Sequence, residues 1–381
     1  LEIIAGRSLQ NLHLLVTSRR EPDIESTLED IVNDQSRICL QSALVDKDIQ
    51  RYVQDRLATD KLLQKWRKDD VRQEIEAVLK DGAKGMFRWA ACQVDSLAKC
   101  RNRATLRKTL ATLPPTLDQT YERILSAISE ADSEYAIRIL RWLTFSARPL
   151  SINDIAEVVA IDTKRDPVFD RDEVLEDPLE ALHICSSLVT ITDSDSEQDS
   201  DYEQDSDCEL EDVSQQIVAL AHYSVKEYLM SDRILTGEAA KYGMRDDACH
   251  YAMARSCLGY LLQLEQPELH AAFLEEFRLA RYSAEYWSSH ARKTGERTED
   301  IGQLAARLCS RNSYLYVNWI RLWGPEEPED DPCLQRRLDQ IYDPIYYAAL
   351  LGLKDVVKLL QQECAQGSYK NRPRASVQAT A

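Results

Sequence analysis

Apolar positions recur along most of this chain at three- and four-residue spacing, which predicts a mainly helical protein. In residues 48–57, Ile49, Tyr52, Val53 and Leu57 fall on one helical face. The same period runs through 71–79, 86–97 and 104–113, with Gly82 and Gly85 as the break between the first two. Pro114 and Pro115 push the residues before them out of α geometry, so the fourth helix should stop near Thr112. Thr116 and Gln119 then have capping-box spacing, and Leu117, Tyr121, Ile124, Leu125 and Ile128 open a new apolar face. Residues 113–125 therefore read as a joint between two blocks.

Beyond the joint, helices are expected over 135–145, 152–161 and 177–187, with 148–151 as a loop and Ser151, backed by Asp154, as an N-cap. Two β-branched runs, 188–192 and 217–221, fit a hairpin. Three helices followed by a two-stranded wing describe a winged helix. His222 leaves the second wing strand and enters a helix. Helical spacing returns over 246–323, most clearly at 251–264 and 273–287, and 324–332 is an acidic linker. Residues 343–352 and 355–360 have the length and pattern of an ankyrin-type helix pair. One such pair cannot bury both of its faces, so it must cap the preceding helices or continue into an array. At the front, 12–17 and 37–40 read as short strands, the first buried and of parallel type. Arg19 and Arg20 stand at its carboxyl end, where ligands of open α/β sheets bind. The expected divisions are 1–45, 46–112, 113–235, 236–340, 341–364 and a polar, unstructured tail over 365–381.

Composition supports the helices, since 11 Gly and 12 Pro among 381 residues are few for a turn-rich β protein. The net charge of −18 is uneven: the insert 193–212 holds eleven carboxylates and no Lys or Arg, leaving −7 for the rest. The insert lacks the means to form a core and is expected to be disordered. Its Ser194, Ser196, Ser200 and Ser206 each have a carboxylate three residues on, which makes them candidates for an acid-directed kinase. An acidic body argues against duplex nucleic acid as a partner. The ten cysteines show no C-x-x-C and no paired His spacing, so no metal is expected and the thiols should be free. No apolar run approaches 18 residues, so no membrane is expected, and the cytoplasm or nucleus is the expected compartment. No G-x-S-x-G occurs, and no Cys–His dyad follows from spacing, which leaves the chain without a hydrolase signature. It opens at Leu1 in mid-pattern, as a piece of a longer protein does.

In this order, 15–22, 84–90, 113–125, 148–155 and 222–229 resemble the signatures of NACHT-type STAND NTPases that filamentous fungi couple to ankyrin repeats. The last two also resemble the winged helix that follows the hydrolase part of some GPI inositol-deacylases. The resemblance implies a fold made of an α/β P-loop remnant, a helical lid, a winged helix, a helical spacer and a first ankyrin-like pair. It makes Arg19 the sensor of a terminal phosphate and His222 the winged-helix contact to a β-phosphate in a closed, ADP-bound state. Met86 and Phe87 would lie on the adenine side. These roles suit the chemistry of guanidinium and imidazole donors. Protein partners are implied at the ankyrin-type surface, with self-association as a further expectation. The departure is the phosphate cradle: no G-x-x-x-x-G-K-S/T occurs, so the cofactors of the complete family, ATP or ADP with Mg, are not expected to be held by this chain. It is therefore expected not to be an enzyme. A winged-helix DNA-binding regulator is the alternative, weakened because 177–187 contains no Lys or Arg. An intact ATPase requires an upstream P-loop.

Overall fold

The computed structural model describes residues 43–192, 216–295, 299–310, 313–328 and 331–365, together with 15–17 and a few isolated positions. It forms two compact units, Leu1–Leu113 and Pro114–Ala381. Residues 15–17 lie in no regular element and are exposed, Leu15 by 87%. This corrects the expectation of a buried strand there: a parallel strand needs ladder partners, and among the described residues none pairs with it. The rest of that expectation, at 12–14, 18–22 and 37–40, lies outside the described residues, as do Arg19 and the acidic insert 193–212.

The first unit is a set of four helices, α1 (Ala43–Thr59), α2 (Asp69–Ala83), α3 (Phe87–Ala98) and α4 (Arg103–Ala111). Its core gathers Ile49, Val53 and Leu57 of α1, Val71, Ile75 and Leu79 of α2, and Trp89, Val94 and Leu97 of α3. Trp66 Nε1 donates to Leu97 O at 3.2 Å and Lys65 Nζ to Ala98 O at 2.6 Å, which satisfies carbonyls at the end of α3. Gly82 is not the break expected of it but sits inside α2. A Cβ there would lie 2.4 Å from the Trp89 ring, so the glycine serves close approach. The reversal falls instead at Lys84 and Gly85, with φ of 46° and 78°. Asn102 caps α4 by accepting from Thr105 N at 2.8 Å, and Thr112 ends it just before the proline pair.

The second unit begins with α5 (Leu117–Ser126) and α6 (Glu130–Phe145), capped by Thr116 and Ser129. The segment expected to be a loop contains a strand, β1 (Leu150–Ser151), which pairs with β3 (Ile217–Leu220) through Leu150↔Val218 and Ser151↔Ile217. It is short because Ser151 at once becomes the N-cap of α7 (Ile152–Val159). The reciprocal capping box has Asp154 N donating to Ser151 Oγ at 3.1 Å and Ser151 N to Asp154 Oδ2 at 3.0 Å. Helix α7 stops before Ile161, which is drawn into a bridge with Phe169. After α8 (Glu180–Cys185), β2 (Val189–Thr192) pairs with β3, giving an antiparallel sheet in the order β1-β3-β2. Thr192 and Ile217 are cross-strand partners, so the insert departs from the tip of the wing. Helix α9 (Tyr223–Met230) follows β3.

Helices α10 (Asp246–Leu261), α11 (Ala271–Glu275), α12 (Ala280–Ala291), α13 (Glu299–Leu308) and α14 (Tyr314–Leu322) form the spacer. The run 273–287 is thus two helices rather than the one expected. The backbone N–H groups of Arg278 and Leu279, between them, are taken by a carboxylate from α7. Trp287 of α12 and Trp319 of α14 meet edge to face at 5.6 Å. The final pair, α15 (Pro344–Leu350) and α16 (Lys354–Ala365), turns at Gly352 with φ 72°. It caps the spacer: Tyr347 is fully buried 6.1 Å from Trp319, and α16 packs on α13.

Candidate functional site

His222 ends β3 in extended geometry, φ −165° and ψ 148°, and its ring folds back as the N-cap of α9. Nδ1 accepts from Ser224 N at 3.1 Å and lies 2.7 Å from Ser224 Oγ. Ser224 Oγ is in turn 2.8 Å from the Tyr121 hydroxyl, on a fully buried ring of α5. With Nδ1 accepting, a neutral His222 carries its proton on Nε2, on the exposed side of the ring. The wing, α5 and the start of α9 therefore fix one imidazole and its tautomer together.

Met86 and Phe87 belong to the first unit. Met86 is the extended residue before α3, and Phe87, 41% exposed, opens that helix with its ring 5.3 Å from Tyr52. Arg19, Ser194, Ser196, Ser200 and Ser206 lie outside the described residues. Among the described residues, no group of three or more His, Cys, Asp or Glu could hold a metal ion, and no helix is long and apolar enough to cross a membrane.

Sequence reasoning missed the polar groups buried where the winged helix meets the spacer. Glu157 of α7 is 3% exposed. Its carboxylate accepts from Tyr260 Oη at 2.6 Å and from the N–H groups of Arg278 and Leu279 at 2.9 and 3.1 Å. Burial pushes its carboxyl up despite the three donors that favour the ionised form. A second chain joins His250 and His290 through their Nδ1 atoms at 2.8 Å, and His290 Nε2 to the Tyr282 hydroxyl at 2.9 Å. That hydroxyl also accepts from Ala147 N, just before β1, at 3.1 Å. Glu157 left one signal in the sequence, a lone carboxylate inside the otherwise apolar run 155–159. The histidines left none, being 40 residues apart.

This arrangement of helices and a three-stranded sheet has a counterpart among known families. Residues 121–199 match the GPI inositol-deacylase winged helix domain. The match runs from within α5 through β2, so the chain contains a winged helix domain of that type. The chain is also similar to the azaphilone pigments biosynthesis cluster protein L of Monascus ruber, 34% identical over 280 residues. That alignment covers 71% of this chain and 55% of the relative, so the chain spans about half of the relative's length. No solved structure matches the chain.

Proposed function

We propose that this chain is the non-catalytic regulatory and protein-binding part of a NACHT–ankyrin signalling NTPase. In this reading the winged helix relays nucleotide state from an NTPase core to a repeat array that starts at α15 and α16 and binds protein partners. The observation that supports it is the ring of His222, fixed at the end of the wing by Ser224 and Tyr121 with Nε2 on its exposed side. His222 contacts the β-phosphate of ADP in the closed state, Arg19 the terminal phosphate, and Met86 and Phe87 the adenine side. The chain's own residues do not suffice to hold ATP, ADP or magnesium. The sequence has no phosphate-cradling loop, and one of the two ring nitrogens of His222 is spent on capping α9. No catalytic step is assigned to the chain. The partners are proteins rather than duplex DNA, because α8, with the sequence EALHIC, has no Lys or Arg to meet phosphates. The cytoplasm or nucleus is the proposed compartment.

Two measurements test this. Sequencing the transcript upstream of Leu1 is expected to show an in-frame P-loop, and a long open reading frame without one overturns the reading. The purified chain is expected to release no ATP or ADP on acid extraction, and stoichiometric nucleotide contradicts it.

A further inference from the structure

The two buried imidazoles lie where the winged helix meets the spacer, and their hydrogen bonds can be assigned a direction. Tyr282 Oη accepts the Ala147 N–H, so its own hydrogen is directed to His290 Nε2, 2.9 Å away. His290 must then carry its proton on Nδ1 and give it to Nδ1 of His250 at 2.8 Å. His250 is left with its proton on Nε2, facing Asp246 Oδ1 at 3.7 Å. Both rings are neutral in this arrangement, and they are 4% and 2% exposed. The chain thus runs in one direction from the corner before β1, through α12, to the first turn of α10.

An added proton has no place in it. On His250 the one vacant position is Nδ1, which would set two N–H groups face to face at 2.8 Å. If His290 changes tautomer to relieve this, its Nε2–H points at the Tyr282 oxygen, and the hydroxyl hydrogen loses its acceptor. Either way a buried polar group is orphaned. The surroundings divide in sign. Asp246 of α10 favours a charged ring, whereas Lys293, just after α12, and Lys226 of α9 oppose it. From the corner before β1, the Arg148 guanidinium lies 5.3 Å over the Tyr282 ring. Helix α6 offers the edge of Phe145 to His250, while its Arg141 turns to Cys249. Burial holds both imidazoles below their ordinary value, His290 down to about 3.

We infer that the His250–His290–Tyr282 chain is an acid-sensitive latch, holding the Ala147 corner of the winged helix on α10 and α12 at neutral pH and releasing it on acidification. The inference uses residues of the second unit alone and does not depend on the nucleotide reading. It makes the winged-helix–spacer joint a point at which falling pH loosens what is otherwise one body.

The test is hydrogen exchange on the full chain between pH 7.5 and 5.0, corrected for intrinsic rates. Opening of α12 is expected to rise about tenfold per pH unit below ~6.5, the slope for uptake of one proton on release. Helices of the first unit should show no such slope. The double variant His250→Phe/His290→Phe should flatten the α12 profile. An unchanged slope in that variant, or protection of α12 that persists to pH 5.0 in the wild type, overturns the latch. Nitrogen-15 shifts of the wild-type rings at pH 7.5 need no variant to fold. They should show Nδ1–H for His290 and Nε2–H for His250, and the reverse pair or a charged ring overturns the assigned direction.

Discussion

Replacing Glu157 by alanine tests most directly whether the spacer is fastened to the winged helix by hydrogen bonds. The substitution removes one acceptor from three buried donors, the Tyr260 hydroxyl and the N–H groups of Arg278 and Leu279. Each orphaned donor costs ~1–3 kcal/mol. Partial relaxation and entry of water lower the sum, so ~3–5 kcal/mol is the expected loss, the range found when one partner of a buried polar pair is deleted. Glu157→Gln keeps the shape, one accepting oxygen and a donor that can turn to the Tyr260 oxygen, so it should lose only ~1–2 kcal/mol. The assay is the urea midpoint followed by tryptophan fluorescence, since Trp287 and Trp319 lie in the spacer core. The sign of the pH dependence is a second check. Burial raises the folded-state value of Glu157 above 4.5, so the folded protein binds this proton more readily than the unfolded one. Its contribution to stability is complete below the unfolded value and is lost as pH rises through the folded one. The Glu157→Gln penalty should therefore shrink toward neutral pH. A Glu157→Ala loss below ~1 kcal/mol would refute the fastening, because it would mean that the three donors find other acceptors at no cost.

Three further outcomes follow from the packing and capping. Gly259→Ala should cost ~1–3 kcal/mol of overpacking, because its Cβ would lie 2.6 Å from Val168 Cγ2. Val168→Ala in the same chain should restore part of that loss in a double-mutant cycle. His222→Ala should lose ~1 kcal/mol with the N-cap of α9, whereas His222→Asn, which can still accept from Ser224 N, should keep most of it in thermal melts. With an aromatic disulfide reagent, exposed Cys333 should react at once. Cys257, fully buried with its thiol pushed up to about 12, should react only after urea is added.

Local grammar made much of the architecture legible. The proline pair and Thr116 marked the end of α4 and the start of α5, and the two β-branched runs became β2 and β3. Ser151 and Asp154 form the capping box their spacing suggested. The misses share a cause, since each depended on a contact distant in sequence. Leu150 and Ser151 are strand only because β3 passes beside them. Gly82 reads as a breaker until Trp89 is seen to need the space of a missing Cβ. The break before α12 is set by Glu157, 121 residues from Arg278. Of the candidate site, His222 was legible as a histidine at a strand-to-helix corner. Its bond to Ser224, and through it to Tyr121, was not, because Tyr121 lies 103 residues from that serine.

Helix α12 is held at both ends, by Glu157 on the amide of Leu279 and by His250 on the ring of His290. Eleven residues separate the two holds, close to three turns or ~16 Å, so both grips face the same side of the helix. The helix is a ruler of fixed length. One residue added or removed between Leu279 and His290 would rotate one end by ~100° relative to the other and break a hold. The loops on either side carry no such constraint, so length variation among relatives of this chain should collect there and spare α12.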